Sequence, residues 1–100
     1  MAKELGTAGK LIEKGWCQGT FAKSAEGVHV QLHSADAACW CSAGALLKSY
    51  PDKRQAEVAF NKLICEVASY DEDPFGITDW NDDPARTKEE VLEVFRKAGV

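Results

Sequence analysis

The stretch Ala37-Ala38-Cys39-Trp40-Cys41-Ser42-Ala43-Gly44-Ala45-Leu46-Leu47 decides what this chain can be. Only Ser42 and Gly44 interrupt its apolar run, and Ser34 and Asp36 just ahead of it supply a helix cap and a first-turn acid. The pattern predicts a helix over 37–47. A helix apolar all round has no face to offer water, so it must be the central element with the others packed about it. Ala43, Gly44 and Ala45 permit close approach by a neighbouring helix, which offsets the roughly 1 kcal/mol of propensity that a mid-helix glycine costs. Lys48-Ser49-Tyr50-Pro51-Asp52 ends the helix.

The flanks supply its partners. Over 2–14, Leu5, Ala8, Leu11 and Ile12 recur at helical spacing. Gly15 suits the left-handed position that closes a helix, with Trp16 folding back onto Leu11 in a Schellman ending. From Gly15 to Ala22 and again over Val28–His33 the chain reads as two short strands joined at Ser24-Ala25-Glu26-Gly27, a small hairpin that must lean on helices to persist. Ala56, Phe60, Leu63, Ile64 and Val67 form the stripe of a third helix, starting at Pro51 or Asp52 and running to Ser69. The acidic segment Tyr70–Pro84 reads as loop, with one helical turn around Ile77–Asn81. Thr87 and Glu90 form a capping box for a last helix that presents Val91, Leu92, Phe95 and Ala98 and stops near Gly99. The expected fold is therefore mainly α: a four-helix single domain over residues 1–100, with a small β-hairpin between helices 1 and 2.

Composition narrows the function. One hundred residues with 45% hydrophobic and 28% charged side chains can build one core, which excludes a disordered chain. No apolar run reaches the ~18 residues of a membrane span. A net charge of −4 argues against general nucleic-acid binding, since a phosphate backbone would be repelled. The first residues lack the apolar stretch of a signal peptide, so a cytoplasmic address is expected. The four cysteines, Cys17, Cys39, Cys41 and Cys65, lack zinc spacings such as C-x2-C and read as packing thiols. No metal or cofactor is expected.

Three constellations could carry chemistry. Asp71, Asp73, Gly76 and Asp82 fall at calcium-loop positions, but Pro74 and Phe75 interrupt the ligands and Asp82 stands where a bidentate glutamate is needed; a solvated acidic loop fits better. Cys17 with His29 or His33, oriented by Asp36, could make a thiolate–imidazole pair, the basis of a small thiol-dependent enzyme. Trp16 and Gln18 with Trp80, Asn81, Asp82 and Arg86 offer an aromatic face, amides and a guanidinium, the makings of a site for a small polar ligand. If the first and last helices are antiparallel neighbours, these residues meet beside the Gly15–Gly19 loop as a shallow cleft. The structural alternative for the same residues is turn chemistry and capping.

Gly15-Trp16-Cys17-Gln18-Gly19, Cys41-Ser42-Ala43-Gly44-Ala45-Leu46, and Trp80-Asn81-Asp82 with Arg86-Thr87 together resemble a family of small bacterial and phage proteins of unknown function, over about Leu5 to Ala98. The chain departs from that pattern in Ala38-Cys39-Trp40 and in the acidic stretch before Ile77. The resemblance implies a cytoplasmic protein, phage- or prophage-borne, with no assigned chemistry and no catalytic residues to carry over. The expected function is a non-catalytic binding protein for a small polar ligand or a host protein, through the loops at Trp16–Gln18 and Trp80–Thr87. A domain of this size can also form a homodimer through a helix face.

Overall fold

Cys41 divides the deciding stretch in two. The computed structural model describes residues 5–67 and 74–100, whose elements in chain order are α1 (Thr7–Lys14), β1 (Ala22–Ser24), β2 (Ala37–Trp40), α2 (Ser42–Ser49), α3 (Lys53–Glu66), α4 (Pro74–Asn81) and α5 (Lys88–Ala98). The predicted helix over 37–47 thus begins only at Ser42, and its first four residues are a strand. A short apolar run fits a buried strand as well as a buried helix, and available backbone partners decide between them. Here β2 has partners on both edges. It pairs antiparallel with β1, Ala22 opposite Trp40 and Lys23 opposite Cys39, with an irregularity between Lys23 and Ser24. On its other edge Trp40 bridges in parallel to Trp16, its N–H donating to the Gly15 carbonyl (3.0 Å) and its carbonyl accepting from Cys17 N–H (3.2 Å).

That bridge also corrects the ending assigned to α1. Gly15 is extended (φ −174°, ψ 132°) rather than left-handed, so no Schellman turn forms. Glycine is needed there for space: a Cβ would lie 2.9 Å from the Cys39 Cβ and closer still to the Ala38 carbonyl oxygen. The hairpin does lie between the first two helices, but β1 pairs with Ala37–Trp40 instead of with 28–33. That second stretch keeps only a single bridge, Lys23 to His29, and Val28 stands 60% exposed.

Five helices, not four, are present among the described residues. The additional one is α4, in the segment read as a loop with one helical turn. Its proline, Pro74, occupies a first-turn position where a missing N–H breaks no helical bond. The proposed calcium-loop positions Asp71 and Asp73 lie outside the described residues, as do the first residues assigned to α1 and the last assigned to α3.

The centre is where the composition put it. Ser42, Ala43, Gly44, Ala45 and Leu46 are all buried, and α2 touches α1, α3, α4 and β2, while contacts of α1 with α5, α5 with α3 and α3 with α4 run around it. What approaches Gly44 is the backbone of Phe21, just ahead of β1, and not another helix: a Cβ there would lie 3.0 Å from the Phe21 carbonyl carbon and in collision with its oxygen. The capping box of α5 is complete, Thr87 accepting from Glu90 N–H and Glu90 from Thr87 N–H. Beyond it Val100 folds back, buried at 2% exposure, and its carbonyl accepts from Ala8 N–H (2.9 Å) and Gly9 N–H (3.1 Å). These are first-turn donors of α1, whose N-cap Gly6 has no side chain to satisfy them.

Candidate functional site

Asn81, the last residue of α4, is fully buried and sits where three separated segments meet. Its Oδ1 accepts from Trp16 Nε1 (2.7 Å), from Ser42 N–H (2.9 Å) and from Ser42 Oγ (2.7 Å). Its Nδ2 donates to the Cys17 carbonyl (3.1 Å) and to Asp82 Oδ1 (2.9 Å). Trp16 Nε1 and Ser42 N–H can only donate and the Cys17 carbonyl can only accept, so the amide orientation is settled by its partners.

Each contact repairs a local deficit. Ser42 is the first residue of α2, and its N–H is one of the donors a helix start leaves without an internal partner. Asn81 takes that one from across the chain, while the Cys41 side chain takes Gly44 N–H (3.3 Å) as N-cap. Sulfur is a weak acceptor, which makes the asparagine the stronger half of this shared cap. Around the hub, Gln18 Nε2 donates to the carbonyls of Asn81 (2.9 Å) and Asp83 (2.8 Å), and Asp82 Oδ1 accepts from Gly19 N–H (3.0 Å). Trp16, Gln18, Asn81 and Asp82 are therefore brought into direct contact.

Trp80 and Arg86 lie on the other side of the same turn. The Arg86 guanidinium is 4.4 Å from the Trp80 ring centre, its Nε donates to the Trp80 carbonyl (2.9 Å), and its terminal nitrogens face Glu90 (3.1 Å) and Asp83 (3.8 Å). Lys88 Nζ donates to the Glu13 carbonyl (2.9 Å), which joins the end of α1 to the start of α5 as the terminal-helix geometry requires. The six residues singled out thus gather around one turn, but their polar atoms point largely at one another.

No described hydrogen bond pairs a thiol with a histidine. Cys17 is buried, and burial together with a hydrogen bond to the Cys39 thiol pushes its pKa up to about 12. Cys41 is also raised by burial, against which the N–H groups of Gly44 and Ala43 act in opposition. Neither is poised to be a thiolate at neutral pH. His29 Nδ1 is hydrogen-bonded to Thr20 Oγ1, not to Cys17. Among the described residues no group of three or more His, Cys, Asp or Glu could hold a metal ion, and no helix is long and apolar enough to cross a membrane.

Residues the sequence did not single out line much of the open surface, together with His29 and Asp82, which it did. A hollow of about 310 Å³ lies among Gly19, Thr20, His29, Cys41 and Asp82, and a larger one of about 660 Å³ among Ala43, Leu47, Tyr50, Ala56 and Phe60. Phe21 and Thr78 line both, so the two hollows adjoin along a groove with a polar end against the Asn81 hub and an apolar end between α2 and α3. Phe21 is 47% exposed although its carbonyl accepts Cys41 N–H at the core. Nothing in local sequence distinguishes such an aromatic from a buried one.

The fold and site define a mainly helical domain, with five helices and a two-stranded sheet among the described residues, in which one buried asparagine joins the end of α4 to the start of α2 and to the segment after α1. The chain belongs to a family of unknown function, DUF6197, whose model matches residues 2–99. No curated protein and no solved structure matches it.

Proposed function

We propose that this domain is a non-catalytic binding protein whose ligand is a small amphipathic molecule lying in the groove along Phe21 and Thr78. The observation that carries this reading is that the two hollows share Phe21 and Thr78, with apolar side chains of α2 and α3 on one side of that pair and hydrogen-bonding groups beside Asp82 on the other. Its size falls in the range of ~300–1,000 Å³ typical of small-molecule sites. The ligand is then less purely polar than the sequence suggested; of the residues singled out, Asp82 lines the groove, while Trp16, Gln18, Trp80, Asn81 and Arg86 frame it. The raised thiol pKa values and the Thr20–His29 contact support a binding role over thiol chemistry. The four cysteines are free, which supports a reducing compartment such as the cytoplasm.

Phe21→Ala tests the site, because the side chain is half exposed while its structural contribution is made by the backbone. The wild-type protein should enhance the emission of the neutral apolar dye Nile red. The variant should lose most of that enhancement with its melting temperature little changed. Equal enhancement by both proteins, or none by either, would remove the groove from consideration and turn the search to a protein partner.

A further inference from the structure

We infer that the groove selects ligands with a cationic headgroup, specifically a protonated amine on an apolar body, and that Asp82 is its counter-charge. This rests on the binding role proposed above and specifies the ligand class.

Asp82 is half-buried and lines the polar end. Its Oδ1 is held from two sides, by Gly19 N–H at 3.0 Å and Asn81 Nδ2 at 2.9 Å, so the carboxylate is fixed in orientation by the hub itself. Among the described residues no lysine or arginine pairs with it; Arg86 turns instead to Asp83 and Glu90. Its second oxygen takes no hydrogen bond among these residues. A carboxylate that is partly desolvated, rigid and without a cation attracts positive charge more strongly than a freely solvated one. The other charged side chains on the groove, Lys53 and Glu57, have opposite signs and stand at the far, apolar end. They give that end no net preference. The remaining titratable groups at the polar end are His29, tied through Nδ1 to Thr20, and Cys41, whose thiol caps α2. Among the described residues the polar end therefore carries the groove's one uncompensated formal charge, and it is negative. A carboxylate-headed ligand of the same shape would meet repulsion at the position where an ammonium is neutralised.

The test uses three probes of equal chain length, n-octylammonium, n-octanol and octanoate, titrated into the whole protein and followed by amide NMR shifts at physiological salt. The ammonium should bind at least about tenfold more tightly than octanoate, a difference of about 1.4 kcal/mol, with shifts concentrated at Gly19, Thr20, Thr78 and Asp82. Asp82→Asn keeps a carbonyl to accept from Gly19 and should bring the ammonium down to the affinity of octanol. The ranking of the three probes on the wild-type protein decides the matter even if that variant does not fold. Equal binding of all three, or preference for octanoate, overturns the headgroup assignment and leaves the groove standing. No binding by any probe overturns the groove itself.

Discussion

The Asn81 hub and the Phe21–Thr78 groove adjoin, yet they are built on opposite principles. In the hub the side-chain amide spends its donors and its acceptor on Trp16, Ser42, Cys17 and Asp82, all within 3.1 Å. In the groove an aromatic ring stands half exposed and the Asp82 carboxylate, held by the hub, pairs with no cation among the described residues. Trp16, Gln18 and Asn81 are thus consumed in holding three segments together, while Asp82 belongs to both regions and most of the groove is made of residues that look ordinary in sequence. Polar groups buried together must satisfy one another, because each unpaired one costs about 1–3 kcal/mol. A site that binds must do the reverse and keep groups in reserve.

The sharpest way to break this contrast is Asn81→Ala. It strips partners from Trp16 Nε1, from both donors of Ser42 and from the Cys17 carbonyl, and should cost about 3–5 kcal/mol of unfolding free energy, read from urea denaturation. Asn81→Asp should not rescue it, since a carboxylate cannot donate to the Cys17 carbonyl. A loss below about 1 kcal/mol would mean that the hub is dispensable to the fold and free for another purpose.

A smaller loss is expected at the boundary between the two regions. Gly44→Leu drives a side chain into the backbone of Phe21, the residue that leads into β1 and lines the groove. Overpacking of this kind costs about 1–3 kcal/mol, and the variant should also lose Nile red binding because Phe21 is displaced. An unchanged melting temperature would contradict the close contact between α2 and the Phe21 backbone.

The smallest effect should fall at the hub's edge. Arg86→Ala removes the bond to the Trp80 carbonyl and the stacking on its ring, together about 1–2 kcal/mol. The pairs with Asp83 and Glu90 contribute little, because both carboxylates are more than a third exposed. Probe binding in the groove should persist. Loss of binding with unchanged stability would instead return Arg86 to the ligand site that its sequence context suggested.

Particular residues show how much was legible. Thr87 and Glu90 were readable because a capping box is local, its two hydrogen bonds closing within a few positions. Ala43–Leu46 were readable as central because a run without polar residues can be covered in only one way. The meeting of Trp16, Gln18, Asn81 and Asp82 was anticipated as a gathering of motifs, but its character was not. Spacing cannot say whether an asparagine's amide faces solvent or a helix start 39 residues away. Ala37–Trp40 was misread because apolar residues without alternation serve strand and helix equally. Its fate depended on Gly15 and Ala22 bringing backbone partners to both edges. Phe21 and Thr78 carried no signal, since what marks them is the shape left between α2, α3 and α4.

The sequence alone determined a mainly helical chain organised about one small-residue helix, with a capped last helix, for these follow from periodicity, composition and local hydrogen bonding. The tertiary structure decided where β2 ends and α2 begins, that Asn81 joins the Cys41 side chain in capping α2, and that an open groove runs from Gly19, Cys41 and Asp82 to the apolar side chains of α2 and α3. Those outcomes depend on backbone donors and acceptors far apart in the chain finding one another. Which of them remain unpaired at the surface is settled only once the packing is complete.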